Sequence, residues 1–219
     1  MIKITKRKEP KEWTEYRNTP GVDYQSIPEL VDSLLQEQGY ICAYCMRRIP
    51  CKDKLNKAES TNEDHRIEHI LSREKHPSQK LSYDNMIICC PGHIGSEAHC
   101  DRLKGSLDVS FNLYDENFIA TLSYKSDGEI VSSNKQYNVE INEVLNLNTP
   151  LLKANRKESW DVVTKELVAL KGNQPWNKST LSQYLDKYTS MRNKDGKLQY
   201  IPYCGIVVYN LQKKIKRMT

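Results

Sequence analysis

Two kinds of metal-binding side chain alternate along one part of the sequence, between Cys42 and Lys104. The first kind is cysteine, whose soft thiolate suits zinc. The second kind is a set of one carboxylate, one histidine and one asparagine, which suits a hard divalent cation and a phosphodiester. The sequence therefore predicts two sites of different chemistry within one small region, one structural and one reactive.

A four-cysteine zinc site is the first of these predictions. Cys42 and Cys45 have the two-residue spacing of a zinc knuckle, whose turn directs both sulfurs toward one ion. A structural zinc site needs four ligands, and we expect Cys90 and Cys100 to supply the second pair. The seven cysteines are an odd number, and the first residues lack the apolar core of an export signal. Metal binding is therefore favoured over a disulfide framework.

Several alternatives to this ligand set stay open. Cys89 competes with Cys90, because adjacent residues on a strand point to opposite faces and only one can face the ion. His93 or His99 could replace one sulfur. A redox-active CxxC motif and unliganded buried thiols are also compatible with the pattern. The short segment before Pro50 argues against the redox motif, which needs a helix start.

The carboxylate, histidine and asparagine can together hydrolyse a phosphodiester. A neutral histidine takes a proton from water near pH 7, and a divalent cation on oxygen ligands stabilises the charge on phosphate. We expect His69 to be this base, with Glu68 and Asp101 as ligands of an Mg²⁺-class ion. Asn85 is expected to pin either the loop before it or the imidazole, and Lys104 is expected to contact a phosphate.

Hydrophobic periodicity and turn residues predict the elements that position these side chains. A helix over 29–38 is expected to lead into the first cysteine pair. Strands over 66–71 and 86–90, and a helix over 98–104 capped by Ser96, are expected to carry the other site residues. The remaining predictions are a mainly helical start over 1–40, a polar loop over 50–63, a hairpin with strands 118–124 and 129–132, helices over 139–147, 150–171 and 178–191, and a closing helix over 203–216 with a strand as the alternative.

The composition favours a soluble globular protein. The chain has 219 residues, of which 28% are charged, and no apolar run approaches the ~20 residues of a membrane helix. We expect a cytoplasmic location. The net charge of +5 is modest, although basic residues concentrate near both ends of the chain, where they could contact phosphate backbones or simply be solvated.

The order of these residues resembles the HNH endonuclease family, whose ββα-metal core often carries an accessory zinc. The likeness covers about residues 42–105. It implies His69 as the general base, Glu68 and Asp101 as metal ligands and Asn85 as the orienting residue. The family spacing also selects Cys90 over Cys89, and the long insert before Cys100 departs from it. Two residue types depart as well: Ser72 stands where proline is frequent, and Asp101 where the last ligand is usually histidine or asparagine.

A longer likeness is to the PtuB group within this family, the HNH subunits of Septu-type and retron-associated anti-phage systems. It rests on the stretches 35–45, 67–69, 99–105 and 145–148. This resemblance implies an effector of a bacterial anti-phage defence complex. The implied partners are a PtuA-type ATPase and, in retron versions, a reverse transcriptase with its RNA–DNA product.

Together these observations predict an α+β protein in three parts. Residues 1–41 form a helical lead-in, residues 42–105 a zinc-stapled ββα-metal core, and residues 106–219 a mainly helical region that binds a partner. The expected function is divalent-metal-dependent cleavage of nucleic acid, with DNA as the expected substrate. The alternative is a non-catalytic zinc module that docks a partner or nucleic acid.

Overall fold

The structure, a computed structural model, describes residues 1–49, 64–94 and 97–218. The predicted loop over 50–63 and the predicted cap Ser96 lie outside the described residues. The helices are α1 (Lys11–Arg17), α2 (Pro28–Glu37), α3 (Asp101–Lys104), α4 (Glu116–Ala120), α5 (Lys135–Val139, continued by a π-helical turn over Glu140–Val144), α6 (Pro150–Lys171), α7 (Lys178–Thr189) and α8 (Cys204–Lys216), with short 3-10 turns at Pro77–Gln79 and Tyr83–Asn85. The strands are β1 (Arg66–His69), β2 (Met86–Cys89), β3 (His93–Ile94), β4 (Glu97–Ala98), β5 (Leu122–Tyr124), β6 (Ile130–Ser132), β7 (Arg192–Lys194) and β8 (Lys197–Gln199).

The strands form small antiparallel sheets rather than one large sheet. Within the described ranges there are four two-stranded sheets, which pair β1 with β2, β3 with β4, β5 with β6, and β7 with β8. Helices and antiparallel sheets are thus mixed along the chain, which confirms the predicted α+β class.

Helix α2 delivers the first cysteine pair to the core and confirms the predicted helix. Pro28 occupies its first turn, where the missing N–H costs no helical hydrogen bond. Gly39 follows the helix with a φ of 59°, and a Cβ there would lie 2.5 Å from the ring of Tyr200. The helix therefore ends where only glycine fits, and the chain turns directly toward Cys42.

Strands β1 and β2 form the ladder that carries much of the candidate site. Their register pairs Glu68 with Ile87 and His69 with Met86. Every residue of β2 is buried, whereas β1 changes from half-buried at Arg66 to buried at His69. The two predicted strands are confirmed, although β1 ends at His69, before the predicted residue 71, and β2 ends at Cys89, before the predicted residue 90.

Helix α3 is shorter than predicted, and the prediction that it includes Ala98 is wrong. Ala98 lies in β4, pairs with His93, and accepts a hydrogen bond from Asn146 on its carbonyl oxygen. Cys100 then adopts a φ of 54°, which a helix interior does not allow, so α3 begins at Asp101. Strands of two residues are too short to show a period-2 pattern in a sequence, which is why this hairpin is not predicted.

Most predicted elements of the C-terminal region are confirmed. The helix over 150–171 agrees with α6 at both ends, because Thr149 caps its first turn and Gly172 follows its last residue. Helices α7 and α8 are also present, so the closing segment is a helix and not a strand. The hairpin has a shorter first strand than predicted, because residues 118–120 belong to α4, which Asp115 caps.

Three further features differ from the prediction. The lead-in is less helical than expected, since residues 1–10 and 18–27 contain no helix or strand. Helix α5 starts before the predicted range 139–147, at a cap formed by the Asn134 side chain. The β7–β8 hairpin is not predicted, because nearly all of its residues are exposed and show no alternation between buried and exposed positions.

One buried core runs through all three predicted parts of the chain. Leu34, Ile87 and Val207 come from different parts, and each is fully buried within the same hydrophobic cluster. The three-part division stays a prediction about organisation. Among the described residues, no helix combines the length and the apolar character needed to cross a membrane.

Candidate metal centre and catalytic cleft

Four cysteine thiols meet in the buried centre of the structure. The sulfurs of Cys42, Cys45, Cys90 and Cys100 all lie within 4.8 Å of one another. The Sγ atoms of Cys42 and Cys100 are 3.9 Å apart, and those of Cys45 and Cys90 are 3.6 Å apart. In a tetrahedral site with Zn–S distances of about 2.3 Å, the sulfurs are about 3.8 Å apart. The four thiols therefore have the spacing that a metal ion such as zinc requires.

Three separate segments supply these sulfurs. The first pair lies in the turn after α2, where the N–H of Met46 donates to the carbonyl oxygen of Cys42 at 3.0 Å and Met46 has a φ of 64°. Cys90 directly follows β2. Cys100 precedes α3, and its N–H donates to the carbonyl oxygen of Leu145 at 2.8 Å. The cluster thus ties the turn after α2 to both β2 and α3.

The alternative ligands lie beside this cluster. The Cys89 thiol contacts that of Cys42, but it does not join the group in which every sulfur is within 4.8 Å of every other. His99 is fully buried, and its Nδ1 lies 3.1 Å from the sulfur of Cys100, so it contacts a thiol and does not replace one. His93 lies against a guanidinium group of α3.

The neighbouring thiols favour the charged form of one cysteine of the cluster, Cys42. Burial alone would raise the pKa of the Cys42 thiol, but hydrogen bonds from the neighbouring thiols, that of Cys100 first, lower it well below its usual range. Burial raises the pKa of Cys100 well above its usual range. A thiolate in a fully buried place is costly unless it is compensated, and a bound cation compensates it.

The imidazole of His69 is fixed in one tautomer. Its Nε2 lies 3.0 Å from the backbone oxygen of Lys80. Because a carbonyl oxygen only accepts hydrogen bonds, Nε2 carries the hydrogen and Nδ1 keeps its lone pair. The residue is 5% exposed, and burial lowers its pKa to about 4. His69 is therefore neutral at pH 7 and holds a nitrogen that can accept a proton from water.

Asn85 holds the loop between β1 and β2, and its side-chain hydrogen bonds described here go to Leu71 and Gln79, not to the imidazole. Its Oδ1 accepts from the N–H of Leu71 at 2.8 Å, and its Nδ2 donates to the carbonyl oxygens of Leu71 and Gln79 at 2.9 and 3.2 Å. Of the two roles that the sequence left open for this amide, the structure shows the first. Because the same loop carries the carbonyl of Lys80, Asn85 positions His69 indirectly.

The carboxyl groups of Glu68 and Asp101 interact with each other between β1 and α3. Burial, followed by the nearby Asp101 carboxyl, raises the pKa of Glu68 well above its usual range. The hydroxyl of Tyr44 donates to Glu68 Oε1 at 3.1 Å, and the Arg66 guanidinium pairs with Asp101. Among the described residues no third His, Cys, Asp or Glu joins this pair at ligand spacing. The pair offers a hard cation two neighbouring oxygen ligands.

Lys104 is buried in the protein next to the carboxyl group of Glu68. Its Nζ is 2.7 Å from Glu68 Oε1 and donates to the backbone oxygen of His69 at 3.1 Å. The residue is 1% exposed. The sequence predicted a contact between this amine and a phosphate. In the structure it neutralises a buried carboxylate and supports the end of β1.

An open cleft of about 370 Å³ leads to the site from solvent, and its wall includes Glu68, His69 and Arg73. The ring of Tyr24 packs edge-on against the imidazole, with ring centroids 4.6 Å apart. The sequence does not single out Tyr24, Arg73 or the carbonyl of Lys80. All three residues lie outside the regular helices and strands. The position of Arg73, four residues after the predicted base, was the one sequence feature that could have pointed to it.

No protein-family model matches the chain, and no curated protein matches it either. The geometry defines an α+β protein with four buried cysteines that could hold a metal ion such as zinc. The likeness to HNH endonucleases rests on the order and spacing of residues in this sequence.

Proposed function

We propose that this protein is a metal-dependent endonuclease of the HNH class, which hydrolyses phosphodiester bonds in nucleic acid, with DNA as the expected substrate. The observation that carries the proposal is the neutral His69 ring, held in one tautomer at the wall of a cleft that also contains two carboxyl groups. A base, neighbouring hard oxygen ligands and an open approach are what metal-assisted phosphodiester hydrolysis requires.

In the proposed reaction, Nδ1 of His69 accepts a proton from water. As that O–H bond breaks, the water oxygen forms a bond to phosphorus, the bond from phosphorus to the leaving oxygen breaks, and solvent protonates the leaving oxygen. The carbonyl of Lys80 keeps the ring oriented, and Asn85 keeps the loop that carries this carbonyl in place. Because the pKa of His69 is about 4, the ring is in its basic form at neutral pH.

Glu68 and Asp101 are the residues that would hold the catalytic divalent ion, Mg²⁺ or a similar cation. The donor set fits, because two adjacent carboxylates disfavour each other's charged form and a divalent cation stabilises both. When bound, this ion supplies Lewis-acid stabilisation of the charge on the phosphate and the leaving oxygen. Lys104 and Arg66 offset part of the carboxylate charge from the protein side.

The four thiols would hold a structural zinc that takes no part in the reaction. Cys42 and Cys45 would be linked through this ion to Cys90 after β2 and to Cys100 before α3. Since α3 begins with Asp101, a zinc at this place would fix one carboxylate of the site relative to the ladder that carries His69.

The substitution His69→Ala tests the catalytic role. We expect Mg²⁺-dependent cleavage to fall by about 10²- to 10⁴-fold, the usual contribution of a general base, while the variant still folds and keeps its zinc. The substrates are single- and double-stranded DNA and RNA, offered as a panel. His76→Ala is the matched control, because His76 lies in the same loop, contacts Asp108 and is not part of the cleft wall.

Cleavage that persists in His69→Ala would contradict the proposal. A wild-type protein that contains zinc and binds nucleic acid or a partner, but cleaves no member of the panel with or without that partner, would favour the non-catalytic zinc module.

We further propose that the nuclease is the effector of a bacterial anti-phage defence complex. The support is the resemblance to the PtuB group, whose matched stretches include three of the clustered thiols, Cys42, Cys45 and Cys100, and the predicted base His69. The proposed partner is a PtuA-type ATPase, with a reverse transcriptase and its RNA–DNA product in a retron version. Co-purification with an ATPase encoded beside this gene tests the proposal, and phage protection that survives deletion of that ATPase would contradict it.

A further inference from the structure

The cations around the cleft differ in how they are compensated. Arg66 pairs with the carboxylate of Asp101, and Lys104 pairs with that of Glu68. Arg73 also lines the cleft, and it is exposed. Within the part of the chain that the structure describes, no carboxylate forms an ion pair with Arg73. Its charge therefore stays available to an anion that enters the cleft.

An aromatic contact holds Arg73 beside the proposed base. Its Cζ lies 4.7 Å from the centroid of the Tyr24 ring, and the same ring packs against His69. The nearby carboxylate of Asp23 is engaged by the amine of Lys80 at 2.7 Å. Stacking on a ring restricts a guanidinium without neutralising it, so Arg73 is positioned while its N–H donors stay available.

Binding of a phosphodiester in this cleft requires a positively charged side chain that is free to contact the phosphate. Glu68 and Asp101 would repel a phosphodiester, whose own charge is negative, unless cations lie on the opposite side of the substrate. A guanidinium presents five N–H donors in a plane and binds phosphate oxygens through two parallel hydrogen bonds. Arg102 also lines the cleft with a guanidinium group, but that group contacts the ring of His93 at 3.1 Å, whereas Arg73 lies against the Tyr24 ring that packs on His69.

We propose that Arg73, positioned by Tyr24, is a substrate-binding residue that holds a non-bridging oxygen of the phosphate placed against His69. This inference rests on the proposed nuclease function and names a contact within the same site. It predicts that the cleft binds the sugar-phosphate backbone of nucleic acid through this arginine.

Binding of a labelled DNA duplex and an RNA duplex to the full zinc-containing chain, without added Mg²⁺, tests the proposal apart from cleavage. We expect Arg73→Gln to weaken binding by about tenfold, as for loss of a charge-assisted hydrogen bond. The slope of log Kd against log salt concentration should fall by about 0.9 for the DNA, because one phosphate contact is lost. Arg73→Lys should lie between the wild type and Arg73→Gln, since it keeps the charge but not the planar donors.

Lys75→Gln is the matched control, because it removes the same charge from the same loop. Its amine lies 3.9 Å from Asp108, on the side where His76 contacts that carboxylate. We expect a change of less than about twofold, since an exposed charge outside the contact is largely screened. Equal effects of Arg73→Gln and Lys75→Gln would overturn the proposal, as would a wild type that binds neither duplex.

Failure of the nuclease function has a different signature. A wild type that binds a duplex through Arg73 but does not cleave it in Mg²⁺ would support the phosphate contact and remove the proposed reaction. Where cleavage is observed, Arg73→Gln should also raise KM or lower kcat while His76→Ala does neither.

Discussion

At the scale of single residues, the buried imidazole of His69 makes stability depend on pH in a defined direction. Burial lowers its pKa to about 4 in the folded protein, against a usual value of 6.5. Its contribution to stability is therefore complete above pH 6.5 and is lost as the pH falls toward 4, because the unfolded chain takes up the proton first. At pH 5 the loss is about 2 kcal/mol.

The variant His69→Asn takes up no proton and lacks this contribution at every pH. We expect the difference in unfolding free energy between wild type and variant to shrink by about 2 kcal/mol between pH 7.5 and pH 5. Urea unfolding at the two pH values measures it. The thiol cluster is common to both proteins, so its own response to acid cancels in the difference between their unfolding free energies. A difference that grows on acidification would show that His69 is not shielded as the structure indicates.

The residues of the candidate site follow from the sequence to different degrees. The adjacent pair of Glu68 and His69 could be selected, because its spacing to the following asparagine and cysteines is a sequence property. The contacts of Tyr24, Arg73 and Lys80 with or around the imidazole depend on how irregular segments fold over β1. No periodic pattern encodes such contacts, so they became visible only in the structure.

At the scale of elements, the loop between β1 and β2 acts as a support for the proposed base, and Asn85 is its anchor. The variant Asn85→Ala leaves the N–H and carbonyl of Leu71 and the carbonyl of Gln79 without their partner. We expect a loss of about 1 kcal/mol of stability, the cost of partly buried polar groups that lose their partner, and a larger loss of cleavage than of zinc. Hydrogen exchange of residues 70–82 should become faster while that of β2 does not.

The variant Asn85→Asp separates the role of the accepting oxygen Oδ1 from that of the donating nitrogen Nδ2. It keeps an oxygen that can accept from Leu71 but loses both donors, so we expect loop exchange between that of wild type and Asn85→Ala. Unchanged exchange across residues 70–82 in both variants would mean that other contacts hold the loop and that Asn85 does not position His69.

Elements with strong end signals were the ones that the sequence predicted well. Helix α6 begins after the cap Thr149 with Pro150 and ends before Gly172, so its pattern and its boundaries agree. The region before α3 shows the opposite case. A positive φ at Cys100 and a hydrogen bond from Asn146 to Ala98 determine where that helix starts, and both are tertiary effects that local propensity does not contain.

At the scale of the whole molecule, the thiol cluster joins parts of the chain that are far apart in sequence. The C-terminal region contacts the segments that carry the cysteines, because Tyr203 donates its N–H to the carbonyl of Met46 at 3.1 Å and Cys100 donates to Leu145 at 2.8 Å. A metal ion in the cluster would therefore stabilise the fold as a unit and not only the small ββα region.

Removal of zinc by a strong chelator should accordingly destabilise the entire protein in one transition. We expect the midpoint of thermal unfolding to fall by more than about 10 °C, because a four-thiolate zinc contributes several kcal/mol to folding in a chain of this size. Zinc should restore the midpoint and Mg²⁺ should not. The variant Cys90→Ala should have a lower midpoint of thermal unfolding that does not change when the chelator is added. Cys89→Ala should show the full decrease in midpoint with the chelator, since Cys89 lies outside the four-sulfur group. A midpoint that responds to a reducing agent but not to the chelator would contradict metal binding and indicate a redox pair at Cys42 and Cys45.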